Sequence, residues 1–132
     1  MGSRRRSSRR FWGRPRPDQV LVFGGADPFR SAFELGPPGA GFSFLCFPVE
    51  RPELFDAVVS DADGRVREIE VKSAAPSTRW VWGGFKLTGG RLAELHALWR
   101  ARGEEDLYVG TLVNAWLARG GEARAVHAGE AY

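Results

Sequence analysis

The sequence contains little cysteine and no long apolar run, and each shortage excludes a class of protein. The single cysteine, Cys46, excludes an internal disulfide framework and a cysteine zinc site. Because it lies in an apolar run, we expect Cys46 to be a small buried hydrophobe.

No run reaches the ~18 apolar residues of a membrane span. The N-terminus has no apolar signal core, so a cytoplasmic protein without membrane partners is expected. Neither His96 nor His127 has a partner at a metal-ligand spacing, so structural roles are favoured.

The basic residues are concentrated at the start of the chain. Seven of the 17 arginines lie in the first 16 residues, whereas residues 17–132 carry 12 basic and 16 acidic side chains. The pI of about 9.6 therefore reflects the first segment and does not indicate a nucleic-acid-binding domain. We expect residues 1–18 to be a disordered, Arg-rich tail, because like charges repel and few apolar groups are present. The alternative is that Phe11 and Trp12 stack on bases beside the arginines.

The remaining residues, 19–132, alternate strand and helix signals and predict one α/β domain. The apolar run Val20–Phe23 predicts a strand buried on both faces, as in a parallel sheet. Asp27 and Pro28 begin a predicted helix that ends near Leu35. Further strands are predicted at 41–48, 55–60, 65–72, 80–87 and 123–127, with a hairpin turn at 61–64. Two amphipathic helices are predicted, over 92–99 and 109–117, the second preceded by three acidic residues at 104–106 that complement its dipole.

Three residues outside the obvious core are candidates for chemistry, each with a simpler structural role. Asp27 follows an apolar strand and two glycines, where an acid can hold a divalent cation, although spacing alone favours a helix N-cap. Lys72 ends a strand and suits a phosphate, but its position alone favours a solvated strand end. Gly83 interrupts a strand between large aromatics, which indicates either a β-bulge or close approach of a ligand.

Several segments resemble, in one order, the sugar-1-phosphate nucleotidyltransferase family, and within it the glucose-1-phosphate thymidylyltransferase-like branch. Residues 48–73, PVERPELFDAVVSDADGRVREIEVKS, are similar to the family's PEKYGVV…D…GRV…I…EKP hairpin. Residues 82–85 resemble its TGLY strand, and residues 106–132 resemble the helix and strand that lead to its Y-x-D-x-GT motif. Residues 23–27 resemble the strand end whose acid helps hold magnesium.

The resemblance implies a Rossmann-like nucleotide-diphospho-sugar transferase sheet, mixed and mostly parallel, with flanking helices. It implies transfer of a nucleoside monophosphate from a nucleoside triphosphate to a sugar 1-phosphate, with Mg²⁺ held by Asp27. Lys72 would contact the sugar phosphate, Gly83 would let the sugar approach, and Phe55 and Asp56 replace the Tyr-Gly pair that lines the sugar.

Two parts of the family pattern are not found in these 132 residues: the GGxGTR phosphate loop and the second metal-binding aspartate. The expectation is therefore a partial domain, truncated at both ends and incomplete or inactive by itself. The alternatives are a non-catalytic sugar-phosphate-binding or regulatory module and nucleic-acid binding by the tail, of which nucleic acid is the less expected partner.

Overall fold

The structure, a computed structural model, describes residues 16–24 and 41–128. Within these ranges it contains six strands, two α-helices and one short 3-10 helix. In chain order these are β1 Val20–Gly24, β2 Phe42–Pro48, the 3-10 helix Pro52–Leu54, β3 Ala57–Ser60, β4 Val66–Glu70, β5 Trp80–Thr88, α1 Gly89–Ala101, α2 Val109–Ala118 and β6 Arg124–His127. The helix predicted from Asp27 and the tail residues 1–15 lie outside the described residues.

The six described strands form one mixed sheet in the order β4-β3-β5-β2-β6, with β1 also paired to β5. The strands β1, β2 and β3 all run antiparallel to β5, and β3 runs antiparallel to β4. Only β2 and β6 are parallel among the described pairings. The prediction of a mostly parallel sheet is therefore wrong for this part of the chain. A tight turn can join only antiparallel strands, whereas two parallel strands need a long crossover connection. β6 can lie parallel to β2 because the chain passes through both helices before it reaches β6.

The prediction that the first strand is buried on both faces is also wrong. The side chains of Val20 and Phe23 are 43% and 41% exposed. Within the described residues β1 pairs with β5 alone, so it is a strand at the edge of the sheet. The segment just before β1 is joined to α1, because Gly90 donates its backbone N–H to the Pro17 carbonyl at 3.1 Å.

The core lies between the sheet and the two helices. In β2, Phe42, Phe44 and Cys46 are fully buried, as the apolar run predicted. Of the predicted helix stripes, Leu95, Leu98, Val113 and Trp116 are buried in the core, whereas Val109 is 38% exposed and Trp99 is not part of the core cluster of the described residues. The Trp116 ring packs against Phe42 with centroids 5.5 Å apart. Burying this apolar surface is the main source of stability for the layered arrangement. No helix in the described ranges is both long enough and apolar enough to cross a bilayer.

The segment between the helices differs from the prediction. The acidic residues 104–106 precede α2 by several positions, and its first turn has no acid. Asp106 instead accepts two hydrogen bonds from the Arg102 guanidinium, at 2.8 and 2.9 Å. These bonds hold the pKa of the Asp106 carboxyl below its ordinary value, with a further contribution from Thr111. This contact fixes the loop that carries Tyr108 to the start of α2.

Candidate functional site

The β3–β4 hairpin brings Asp56 and Lys72 together, although they are 16 residues apart in sequence. The turn at 61–64 is formed as predicted, with Gly64 at a φ of 91° and Val58 opposite Ile69. Asp56 precedes β3 and Lys72 follows β4, so antiparallel pairing places both at the open end of the hairpin. The backbone N–H of Lys72 donates to Asp56 Oδ1 at 3.1 Å.

Lys72 has a left-handed backbone conformation, with a φ of 53°. A residue with a β-carbon is uncommon in this region, and such strain persists where neighbouring groups fix it. The Asp56 carboxylate supplies that restraint by accepting the Lys72 N–H. The turn therefore directs the lysine side chain away from the β4 ladder.

The ammonium of Lys72 lies over an aromatic ring. Its Nζ is 5.3 Å from the centroid of Tyr108, and both side chains are exposed. A cation–π contact at an exposed site is worth about 0.5–1 kcal/mol, so it orients the ammonium without fixing it firmly. Within the described residues, no carboxylate forms an ion pair with Lys72.

The helix α2 holds this end of the hairpin in place. Asn114 accepts the Ile69 N–H and donates to the Ile69 carbonyl, with both distances 2.7 Å. These two backbone groups face away from β3 on an edge strand, so the amide satisfies groups that would otherwise need water. Gly110 lets the helix approach closely, since a Cβ there would lie 2.8 Å from Ile69 Cγ2. The hairpin and Tyr108 are thereby held by the same helix.

Phe55 and Gly83 lie beside this pair. Phe55 is 47% exposed and adjacent to Asp56, whose carbonyl accepts the Trp82 N–H at 3.4 Å. The β2–β5 register shifts between Leu45 and Cys46, which leaves Gly83 as the extra residue of a β-bulge. A Cβ on Gly83 would lie 2.5 Å from Phe47 Cε2, so the neighbouring ring would have to shift if another residue stood here. The bulge alternative from the sequence is therefore present, and any ligand would meet the backbone here.

Asp27 and Cys46 are the remaining residues that the sequence analysis singled out. Asp27 lies outside the described residues. Among the residues that are described, no three His, Cys, Asp or Glu side chains converge on a possible metal position. Because Asp27, the implied ligand, is not among them, the magnesium site stays a prediction. Cys46 is fully buried, and desolvation raises the pKa of its thiol to about 12.

Several residues of the structure were not anticipated as site residues. Tyr108 lies 36 positions from Lys72, and nothing in the sequence links the two. Asn114 carried a usable signal, because it is a lone amide in the apolar helix VGTLVNAWLA. His127 is brought beside Ser60 and Trp80 at the far end of the hairpin, with its Nε2 3.5 Å from Ser60 Oγ.

The described strands and helices define an α/β protein with a mixed sheet, and comparison with solved structures makes the class more specific. The chain is similar to a protein from Bacillus anthracis described as a glucose-1-phosphate thymidylyltransferase, which was crystallised in complex with a sucrose. The TM-score is 0.59 and the sequences are 20% identical over 98% of this chain and 52% of that one. The chain thus spans about half the length of this neighbour. No protein-family model matches the chain, and no curated protein does. At this identity the likeness supports a distant nucleotidyltransferase-like fold.

Proposed function

We propose that this chain binds a sugar 1-phosphate at the open end of the β3–β4 hairpin, with Lys72 as the phosphate contact. The observation that carries the proposal is the exposed ammonium of Lys72, which lies over the Tyr108 ring and has no ion pair in the described residues, on a backbone restrained by Asp56. The similar protein from Bacillus anthracis was crystallised with a sucrose, and this is consistent with a saccharide ligand.

A phosphate suits this lysine for electrostatic reasons. Lysine binds phosphate as a compact point charge, and a charge-assisted hydrogen bond is stronger than an exposed cation–π contact. The ammonium can therefore leave the Tyr108 ring for a phosphate oxygen. The exposed ring of Phe55 provides an apolar surface beside the phosphate, and the backbone at Gly83 provides polar groups for sugar hydroxyls.

The reaction proposed from the family resemblance is nucleotidyl transfer. An oxygen of the sugar phosphate attacks the α-phosphorus of a nucleoside triphosphate, and the bond to the β-phosphate breaks, releasing pyrophosphate. Lys72 would position the attacking phosphate and offset its charge, which is the main way proteins assist such transfers. Asp27, which the resemblance assigns to Mg²⁺, lies outside the described residues, so we assign no step to that ion.

The binding proposal is tested by calorimetry with glucose 1-phosphate. The variant Lys72→Met should weaken binding by about tenfold or more, the loss expected for a hydrogen bond to a charged group. Arg119→Met is the matched control, because it also removes one positive charge but lies after α2, about 16 Å from Tyr108 along the helix. Equal affinity in wild type and Lys72→Met would refute the proposal.

A second variant tests the role of Asp56. Asn at this position keeps an oxygen that can accept the Lys72 N–H but removes a negative charge beside the expected phosphate. We therefore expect Asp56→Asn to bind glucose 1-phosphate several-fold more tightly, and the gain should shrink at high salt. An unchanged affinity would indicate that the phosphate lies elsewhere.

Activity and binding are separated by one further assay. The full chain is incubated with deoxythymidine triphosphate, glucose 1-phosphate and Mg²⁺, and released pyrophosphate is measured. Pyrophosphate release that requires Lys72 supports the enzyme. Binding of the sugar phosphate without release supports the alternative of a non-catalytic binding or regulatory module.

A further inference from the structure

A polar cleft lies at the other end of the hairpin from Lys72. Its volume is about 450 Å³, and its polar and aromatic lining comes from Ser60, Asp61, Ser77, Thr78, Trp80 and His127. Ser60 ends β3, four residues beyond Asp56, which is a separation of about 13 Å along the strand. The lining also includes Ser77, which hydrogen-bonds Glu70 two residues before Lys72, but it contains none of Phe55, Asp56, Lys72, Gly83 or Tyr108, so the cleft is distinct from the proposed sugar-phosphate site.

The lining contains hydrogen-bonding capacity that the described residues do not use. Oδ1 of Asp61 is buried and has no hydrogen-bond partner, whereas Oδ2 contacts Arg67 at 3.4 Å. Buried polar atoms are nearly always paired, so an unpaired carboxylate oxygen calls for a donor. Thr78 Oγ1 accepts the Trp80 N–H at 3.3 Å, which leaves the threonine O–H free to donate. Acceptor and donor thus occur in one small space.

Ser60 and His127 provide further hydrogen-bonding groups in the cleft. Ser60 Oγ and His127 Nε2 lie 3.5 Å apart, at the long limit of a hydrogen bond, so a better-placed ligand hydroxyl can compete for either. The His127 ring meets Trp80 edge to face, with centroids 4.4 Å apart. Trp80 is half-buried and provides the aromatic wall of the cleft.

The charge of the lining selects among ligands. None of the described lining residues is Lys or Arg, and burial lowers the pKa of His127, which favours its neutral form. Asp61 is thus the negative charge of the lining, and its Oδ2 is paired with Arg67 at 3.4 Å, so no cation of the lining is left to attract a phosphate. The cleft suits a neutral ligand rich in hydroxyl groups, because hydroxyls both donate and accept. The C–H face of a sugar ring also packs on an aromatic face, whose electrostatic potential is negative.

We propose that this cleft is a second binding site, for a neutral saccharide, with Asp61 as the principal acceptor and Trp80 as the aromatic wall. The test uses the full chain labelled with ¹⁵N. D-glucose and maltose are titrated separately, and the resonances of the Trp80 indole N–H and the Ser60 and His127 amides are followed. We expect saturable shifts of these resonances in the millimolar range, and smaller shifts at this cleft from glucose 1-phosphate than from glucose.

Matched variants in one turn make the test specific. Asp61→Ala removes the unpaired acceptor and should weaken saccharide binding by about tenfold or more. Asp63→Ala lies in the same turn, removes the same group and leaves the cleft lining intact, so it should bind as wild type does. The proposal is overturned by non-saturating shifts in the wild type, by equal losses in both variants, or by a preference of these resonances for the phosphorylated sugar. The wild-type titration decides the matter even where a variant fails to fold.

Discussion

Replacing Gly110 by alanine should destabilise the domain, although alanine is the better helix former. Gly110 is buried at the second position of α2, where the helix meets β4. A Cβ would lie 2.8 Å from Ile69 Cγ2 and 3.3 Å from Ile69 Cβ, and Val71 Cγ2 is closer still. Ile69 is 1% exposed and its backbone is bonded to Asn114, so the strand has little freedom to retreat.

The magnitude follows from two opposing contributions. Overpacking a well-filled core costs about 1–3 kcal/mol. The gain in helix propensity from glycine to alanine is at most about 1 kcal/mol, so a net loss of about 1–2 kcal/mol is expected. For a domain of this size a loss of that order lowers the melting temperature by between about 4 and 12 °C.

Gly90 provides a matched control, because it also occupies the second position of a helix, α1. A Cβ on Gly90 would have no neighbour closer than the Pro17 carbonyl oxygen at 3.5 Å, an ordinary contact. Both variants restrict the unfolded chain equally, so that contribution cancels in the comparison. Gly90→Ala should therefore raise the melting temperature by a few degrees, as measured by thermal unfolding followed by circular dichroism.

The outcome that would refute this reasoning is a Gly110→Ala variant as stable as Gly90→Ala. That result would mean that α2 does not approach β4 as closely as described. The same contact has a functional reading, because Val71 immediately precedes Lys72. If the hairpin end moves to accommodate the new methyl group, the affinity for glucose 1-phosphate should fall together with the stability.

Three further predictions concern the edge-strand clamp, the histidine at the cleft and the buried thiol. Asn114→Ala should lower the free energy of unfolding in urea by about 2–4 kcal/mol, since two hydrogen bonds are lost and Ile69 keeps unpaired groups, and the Ile69 amide should exchange faster. The lowered pKa of His127 means that the unfolded chain takes up the proton first, so stability should decrease as the pH falls through about 6.5. In pH-dependent urea unfolding, His127→Gln should lose part of this decrease and the exposed His96→Gln should keep it. Cys46 should not react with a disulfide reagent at pH 8 until the chain unfolds, because it is fully buried and the pKa of its thiol is about 12.

The strands from β2 onward were predictable because their apolar runs are bounded by Gly, Pro and Asp. Outside the β3–β4 hairpin the direction of pairing was not predictable, because the run Phe42–Pro48 is equally compatible with parallel and antiparallel neighbours. The burial of β1 was predicted wrongly for a related reason. An apolar run predicts which residues form a strand, but it does not predict how many elements pack against that strand.

The contacts of the candidate site were likewise predictable only where the residues are close in sequence. Asp56 and Lys72 are joined by one hairpin, so register alone brings them together, and their proximity follows from local sequence. Tyr108 and Asn114 reach the hairpin through the packing of α2, over 36 and 45 positions. No periodicity in the sequence encodes such contacts. The contact between Ser60 and His127 spans 67 positions and depends on the position of β6 in the sheet.

The two ends of the hairpin are anchored by different parts of the fold, which bears on whether the proposed sites act independently. Asn114 of α2 fixes Ile69 near the open end. The turn end is fixed by the chain at β6, because Val66 donates to the Ala123 carbonyl at 2.8 Å and Ala125 donates to the Gly64 carbonyl at 2.7 Å. A strand held at both ends has little freedom to transmit a displacement, and effects at sites more than about 7–10 Å apart without shared partners usually add. Saccharide binding at the cleft and phosphate binding at Lys72 should therefore be additive.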